Sequence, residues 1–491
     1  HRQAVEQTVA AIAARNDPQR LFVRGAALAR VAPDERMRPV IQPLAYNAML
    51  AEVDRAVVFY TPGKEGRPKA ADPPPSIVRT ILGRDQWPSI PALEAVIEAP
   101  TLRDDGTIVE EPGYDAASRL LYVPDPALRL PRIPHKPSAQ HVADAAALLR
   151  DELLGDFPYA GKADAANALG LLLTPVVRHI VGPAPLALLS APSKGTGKGL
   201  HANVTARIHT GKPADVYAMA GDDAELGKAI TAMLDAGSSL IFIDEVGELR
   251  SPQLAATLTA EVHTARRLGH TSMVRVPQRA TWMAAGNNVH VAGDLDRRCY
   301  RIRLDPKTAR PWTRTGFRHP SLETWTQDHR GELLAALLTF ARAWWTADRP
   351  TAKVPTVGGF ERWAQTVGGI LAHAGIDGFL ANITELWDES AEDADQWEAF
   401  LLAIETWAAA RAFTARDLAA EITEHKGPLR DALPDDLNTR LDDHDLSKTL
   451  GLALRGRLDT RHGDDGVRVI AAGKTRSRVR LWRVVRDEVS T

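Results

Sequence analysis

The stretch Leu186-Ala187-Leu188-Leu189 followed by Ser193-Lys194-Gly195-Thr196-Gly197-Lys198 decides the fold of this chain. Four apolar residues in a row suit a short buried strand, and the glycine-rich run after it suits a turn into a helix. An anion bound at such a turn needs backbone N–H groups facing it and a helix N-terminus behind it. Glycines let the backbone approach closely enough to supply the N–H groups. The segment therefore predicts a phosphate-binding loop, in which Lys198 reaches the β- and γ-phosphates of a nucleotide. Two positions depart from the usual G-x-x-x-x-G-K-[ST] pattern: Pro192 stands at the first glycine and Gly199 at the hydroxyl residue. Taken alone, the same residues also suit a glycine-rich surface turn.

The residues further along the chain argue against that second reading. Val216-Tyr217-Ala218-Met219 reads as a strand. Asp222 and Glu225 read as a capping box ahead of a helix with Leu226, Ile230, Met233 and Leu234 on one face. Leu240 to Ile243 is a further apolar strand that ends in Asp244-Glu245, and Ser251-Pro252 opens another helix. Thr281 to Ala285 is a strand ending in Gly286-Asn287-Asn288, and Tyr300, Ile302 and Leu304 alternate along one more. Strands alternating with helices predict a parallel sheet wrapped by helices. An Asp-Glu pair at a strand end after a phosphate loop suits metal binding by the aspartate and water polarisation by the glutamate. Asn287 at the next strand end suits contact with a γ-phosphate or the attacking water, and Arg297-Arg298 lie just before the last strand. An Asn-Asn turn or an Arg pair is ordinarily structural or solvated; it is the order of all four features that points to one site.

On these residues (Gly195-Thr196-Gly197-Lys198, Ile243-Asp244-Glu245, Ala285-Gly286-Asn287-Asn288 and Asp294 through Asp305) the chain resembles AAA+ ATPases. Within that class it is similar to superfamily 3 helicases and the helicase modules of phage and integrative-element primases, over about residues 160 to 345. The resemblance implies ATP and Mg²⁺ as ligands. It makes Ser193 to Leu200 (Ser193, Lys194, Gly195, Thr196, Gly197, Lys198, Gly199, Leu200) the nucleotide-binding segment, with Lys198 as Walker-A lysine. Asp244, the metal residue, and Glu245 take Walker B, and Asn287 takes sensor 1. Arg298, with Arg297 as the alternative, takes the arginine finger that completes a neighbour's site. The same resemblance implies a ring, usually of six identical subunits, that tracks on single-stranded DNA. In such helicases a channel hairpin lies between Walker B and sensor 1, where this chain has Arg266-Arg267-Leu268-Gly269-His270-Thr271 and Arg275. Cations there would grip the phosphate backbone without reading sequence; a solvated loop is the equal alternative.

Outward from this core, residues 1 to 134 mix strand-like runs (Leu21 to Val23, Ala56 to Tyr60) with turn signals such as Asp104-Asp105-Gly106, and suggest a small α/β accessory domain. The ATPase core is expected at 135–330 and a helical region at 331–410, where Trp344, Trp345, Trp363, Trp397 and Trp407 suit packing. Residues 411–491 read as helix Thr414 to Glu424, helix Leu446 to Leu458, a turn at Asp464-Asp465-Gly466 and strands Val467 to Ala471 and Arg478 to Val485. That order suggests a winged helix-turn-helix. Arg468, Lys474, Arg476, Arg478, Arg480 and Arg483, with Lys448, Arg455 and Arg457 on the preceding helix, suit a DNA-binding face; a protein-docking module is the alternative. No primase motif is visible.

The 491 residues carry a net charge of −2 and a 44% hydrophobic fraction. The whole chain is thus no polycation, and any nucleic-acid contact must come from local patches. Cys299 is the only cysteine, which excludes an internal disulfide and fits a reducing cytoplasm. Leu169 to Leu189 is broken by Pro175, Arg178, His179, Pro183 and Pro185 and reads as core rather than a membrane span. The start at His1 rather than Met suits a piece of a longer protein. A replication motor working with a primase or polymerase is the leading expectation. The alternatives are a regulatory or defence ATPase in which nucleotide drives assembly, and a nucleotide-binding protein that hydrolyses weakly because Gly199 lacks the Mg²⁺-ligating hydroxyl.

Overall fold

The structure is a computed structural model. It describes all residues except 26, 63–66, 85, 88, 220–221, 267–272, 439–440, 442–444, 464 and 487–491, and the side chains of 390–394 and 436. The chain divides into two compact units, His1–Ile383 and Thr384–Thr491.

The centre of the first unit is a five-stranded sheet of β1 (Leu186–Ala191), β2 (Val216–Ala218), β3 (Leu240–Asp244), β4 (Thr281–Asn287) and β5 (Cys299–Arg303), in the order β2-β3-β4-β1-β5. Every neighbouring pair runs parallel. Strands of a parallel sheet buried on both faces should be apolar throughout, and β1 is buried at all six positions. The same reason corrects the alternation read for Tyr300, Ile302 and Leu304: Cys299 to Ile302 are all buried, so both faces of β5 are covered. The helices around the sheet are α1 (Lys162–Val181), α2 (Lys198–Thr210), α3 (Asp223–Ala236) and α4 (Pro252–Thr259). The strand order carries a functional consequence. β4 lies between β1 and β3, so the residue ending β4 stands between the phosphate loop and the acidic pair.

Local signals fare unevenly. Asp222 caps α3 by accepting from the Ala224 N–H at 3.0 Å, but Glu225 pairs with Lys228 instead of closing a capping box. Ser251 caps α4 through the Leu254 N–H with Pro252 in the first turn, as expected. Ala56 is not in a strand: it ends the helix Tyr46–Ala56, whose Met49 and Val53 are buried, and the strand is Phe59–Pro62. Helical spacing of those core residues outweighs the β-branched run behind them. Asp104-Asp105-Gly106 does turn a hairpin, Thr101–Leu102 against Ile108–Val109. In α1 the buried Arg178 donates to the carbonyls of Ala280 and Gln278, which accounts for a charge inside an apolar run. No described helix is long and apolar enough to cross a membrane.

N-terminal residues pack on this core within the same unit. The Arg24 guanidinium caps the C-terminal end of α3 through the Leu234 carbonyl at 2.8 Å, and Arg279 pairs with Glu94 at 2.7 Å.

In the second unit, helix Ile383–Ala408 supplies Trp397, Phe400, Leu401 and Ile404 to a core shared with Leu418, Ile422, Leu450, Leu454, Val469 and Trp482. Helices Ala415–Glu424 and Leu446–Gly456 and the antiparallel strands Arg468–Lys474 and Arg480–Val485 complete it. Phe413 and Trp482 exchange two backbone bonds of 2.9 and 2.8 Å, which adds a third short stretch to the ribbon. Trp344, Trp363 and Trp397 are buried and Trp345 and Trp407 half-buried, in keeping with packing roles.

Candidate nucleotide site at the carboxyl ends of the sheet

Three segments meet at the carboxyl ends of β1, β4 and β3, where open parallel sheets place their ligands. The loop after β1 turns through Gly195 (φ +75°) and Gly197 (φ +104°), conformations that side chains rarely adopt. Space is tight at Gly195, where a Cβ would lie 3.2 Å from the Trp312 side chain. At Gly197 it would meet the Phe157 ring at 3.4 Å, an ordinary contact, so there the backbone conformation alone demands glycine. Helix α2 begins at Lys198, directly behind the loop. The two positive-φ glycines of the motif are thus required by backbone geometry.

Lys198 is the hub. Its Nζ donates to Asn287 Oδ1 at 2.7 Å, with the Ser193 carbonyl at 3.4 Å and Thr196 Oγ1 at 3.3 Å. Half-burial lowers its pKa, and the negative charge of Asp244 works against that shift. Asn287 ends β4 with its side chain exposed and is in register with Ala191 of β1. The turn after it is stitched to the phosphate loop: the Asn288 N–H donates to the Ala191 carbonyl at 3.0 Å, and Nδ2 to that of Pro192 at 3.4 Å.

Asp244 closes β3 and accepts the N–H of Glu245 at 2.8 Å. Glu245 has φ +56°, a left-handed conformation that costs a non-glycine residue about 1 kcal/mol. Its carboxyl is exposed. Next door, Gly286 is irreplaceable on steric grounds, since a Cβ there would sit 1.9 Å from the Val246 carbonyl oxygen. The Val246 N–H donates to the Ala285 carbonyl at 2.9 Å, and the pairing continues as Glu248–Leu249 against His290–Val291. The acidic turn and the asparagine turn are therefore locked side by side.

For Mg²⁺ the donor set is sparse: among the described residues no cluster of three or more Asp, Glu, His or Cys side chains exists. Asp244 with Glu245 still fits, because Mg²⁺ keeps several waters and takes phosphate oxygens in such sites. Gly199 lies in the first turn of α2 with nothing within 4 Å of where a Cβ would be. Lys194 and Leu200 are exposed.

Arg297 and Arg298 end a short 3-10 turn ahead of β5 and share Asp294, at 2.6 and 3.4 Å. Their side chains differ in exposure, 59% for Arg297 and 17% for Arg298. Arg266 and Arg275 lie on an antiparallel hairpin, Val262–Arg266 against Met273–Pro277, both with exposed side chains. Arg267, Leu268, Gly269, His270 and Thr271 lie outside the described residues. In the second unit, the turn between the last two strands exposes Lys474, Arg476 and Arg478, with Arg478 at φ +64°.

Sequence reasoning missed the support under the loop. His201 of α2 is fully buried, donates or accepts at Tyr159 Oη at 3.1 Å and packs its ring 4.9 Å from that of Phe157. Burial lowers its pKa to about 4, so it is neutral. The signal was faint: a Phe-Pro-Tyr run well ahead of β1 gives no hint of its partner. Trp312, also missed, stands in the segment after β5 and has no local motif.

No protein-family model and no curated protein matches the chain by sequence. Among solved structures, the chain is similar to the apo C-terminal region of NrS-1, at 11% identity over 95% of this chain and 96% of that one, with a TM-score of 0.36. It is also similar to the SCCmec type IV Cch active helicase, at 11% identity over 95% and 97%, TM-score 0.31. A third likeness is to the JCV helicase, at 13% identity over 50% and 73%, TM-score 0.21. Likenesses at these scores carry no weight for the chemistry, which rests on the residues above.

Proposed function

We propose that this chain is an ATP-hydrolysing motor of the AAA+ class that moves along single-stranded DNA as a ring, as the helicase part of a replication protein. The observation that supports it is the convergence of Lys198, Asn287 and the Asp244-Glu245 turn at one end of the sheet, with Lys198 Nζ and Asn287 Oδ1 2.7 Å apart. In this reading the loop N–H groups and Lys198 cradle the triphosphate, and the lysine exchanges Asn287 for a γ-phosphate oxygen. Asn287, released, orients the attacking water. The Glu245 carboxylate takes a proton from that water as its oxygen bonds to the γ-phosphorus and the bond to the ADP oxygen breaks. Mg²⁺, when bound, would neutralise phosphate charge beside Asp244. Arg297 or Arg298 would serve the site of the next subunit in a homo-hexamer. Arg266 and Arg275, with Arg267 and His270, would line the channel. The second unit would act as a winged helix that adds DNA affinity through Lys474, Arg476 and Arg478, and a primase or polymerase is the partner this role calls for.

The test is steady-state ATPase activity with and without single-stranded DNA. Turnover stimulated by DNA, with strand displacement, is the expected result. Turnover indifferent to DNA would favour a regulatory or defence ATPase, and its absence a nucleotide-binding protein. Glu245→Gln should bind nucleotide and lose about 100-fold or more in turnover, the scale of a general base. Lys198→Ala should weaken binding itself. A Glu245→Gln variant at the normal rate would remove Glu245 from the mechanism.

A further inference from the structure

We infer that Trp312 is the base-stacking residue of the nucleotide site. The inference rests on the phosphate-loop reading and adds to it the place where the nucleobase lies. After β5 the chain makes a short 3-10 turn, Pro311–Thr313. Pro311 is buried, yet the neighbouring Trp312 leaves 57% of its surface in water. The turn itself is closed by the Thr313 N–H donating to the Arg310 carbonyl at 3.1 Å and the Arg314 N–H to that of Pro311 at 3.2 Å. The segment is tied down by the Arg314 guanidinium on the Asp156 carbonyl at 2.9 Å and the Arg318 N–H on Asp156 Oδ2 at 2.6 Å.

Trp312 is positioned against the phosphate loop. The direction in which Gly195 lacks a side chain is occupied by Trp312, whose Cβ and Cε3 lie 3.2 Å from where that Cβ would be. The other loop glycine, Gly197, also faces an aromatic ring, that of Phe157. The two rings differ in what covers them. Phe157 is buried against His201, whereas Trp312 keeps a free surface beside the loop. Phe157 is support; Trp312 is the exposed ring beside the loop. Aromatic rings stack on bases of any identity, each base having a π-face. The same ring could stack a base of DNA, but its contact with Gly195 puts it beside the loop that would hold the triphosphate, which favours the nucleotide's own base.

The experiment measures equilibrium binding of the full chain to Mg-ATP and to inorganic tripolyphosphate, which has phosphates and no base. Trp312→Ala should weaken ATP binding by about 5- to 150-fold, the range that stacking of one base gives. Tripolyphosphate binding should change less than about twofold. Trp312→Phe should restore ATP binding to within a few-fold, which also shows that the variant loop folds. Equal loss of both ligands would make Trp312 a prop of the loop and overturn the inference. So would unchanged ATP affinity with weakened binding of an oligothymidine strand, which would assign the indole to DNA. If the unsubstituted chain binds neither ATP nor tripolyphosphate, the phosphate-loop reading fails first and the stacking role with it.

Discussion

At the phosphate loop a single ammonium, that of Lys198, is half withdrawn from water and held against three oxygens of Ser193, Thr196 and Asn287. On the hairpin of the second unit Lys474, Arg476 and Arg478 stand exposed at a turn, each surrounded by solvent. Both regions are cationic, but they use charge differently. A fixed cation in a partly dry, pre-arranged site can stabilise charge that develops at one place, and losing it cannot be made good by a neighbour. Exposed cations act by number: each displaces counterions from a nucleic-acid backbone, and each is replaceable by the next. Single substitutions should therefore be drastic at the first region and shallow at the second.

The largest effect expected on the catalytic side concerns an arginine that the loop does not itself hold. Supplied by a neighbouring subunit, it would offset charge on the transferring phosphoryl group, worth on the order of 10³-fold in rate. Sequence order puts Arg298 first, but its side chain is 17% exposed against 59% for Arg297. Arg297 is the more exposed but makes the shorter ion pair with Asp294, 2.6 Å against 3.4 Å, so both arginines are carried into the test. Mixing Arg297→Ala with Lys198→Ala subunits, each inactive alone, should return part of the ATPase in rings shown to be mixed. Mixing Arg298→Ala in the same way assigns the role by which pair recovers. No recovery with either arginine would place the finger in cis or elsewhere. Lysine at the working position should also fail, because it keeps charge but loses the planar fork.

How legible this was in the sequence depended on distance along the chain. Strands β1, β3 and β4 were readable as largely apolar runs, and the site residues because Asp244 and Asn287 end two of them and Lys198 follows the third through a glycine-rich turn. What the run of residues could not reveal was that β4 lies between β1 and β3, the arrangement that brings Asn287 within 2.7 Å of Lys198. Gly286 was read only as part of a strand end, and nothing local showed that the Val246 carbonyl forbids any side chain there. Trp312 and His201 were invisible for the same reason: their roles come from contacts with Gly195 and Phe157, made across the fold. Local periodicity misled at Ala56 and at β5, where burial on all sides erased the expected alternation.

On the shallow side of the comparison, the charge of the hairpin should be tested without cutting the unit apart. Removing residues from 411 onward would strip Trp397, Phe400 and Ile404 of the core they share with Leu418, Leu450 and Trp482. Neutralising Lys474, Arg476 and Arg478 together, each to Ala, leaves that core intact. The salt dependence of binding to single-stranded DNA should then flatten by about 2 in log–log slope, at roughly 0.7 per cation removed. Each single substitution should give about a third of that change. Unequal singles, with one residue carrying the whole effect, would mean the hairpin holds a specific contact and would bring it closer to the phosphate loop in kind. An unchanged slope would give the unit a docking role.

The smallest effect is expected at the phosphate loop itself, and it marks where that region stops being intolerant. Gly199 departs from the usual motif by lacking a hydroxyl, yet it differs physically from Gly195 and Gly197. Those two hold φ values of +75° and +104° and face aromatic rings; Gly199 lies in the first turn of α2 with open space around it. Gly199→Ser should fold with stability changed by no more than about 0.5 kcal/mol, as for other substitutions that meet no neighbour. Its hydroxyl could replace one of the waters that Mg²⁺ otherwise keeps. Mg²⁺-dependent turnover should hold or rise slightly, and the Mg²⁺ concentration for half-maximal rate should fall. Gly197→Ser provides the contrast, since it forces a side chain into a left-handed backbone and against Phe157. If Gly199→Ser were as damaging as Gly197→Ser, the loop would take another shape when nucleotide binds, one that needs glycine freedom at residue 199 as well.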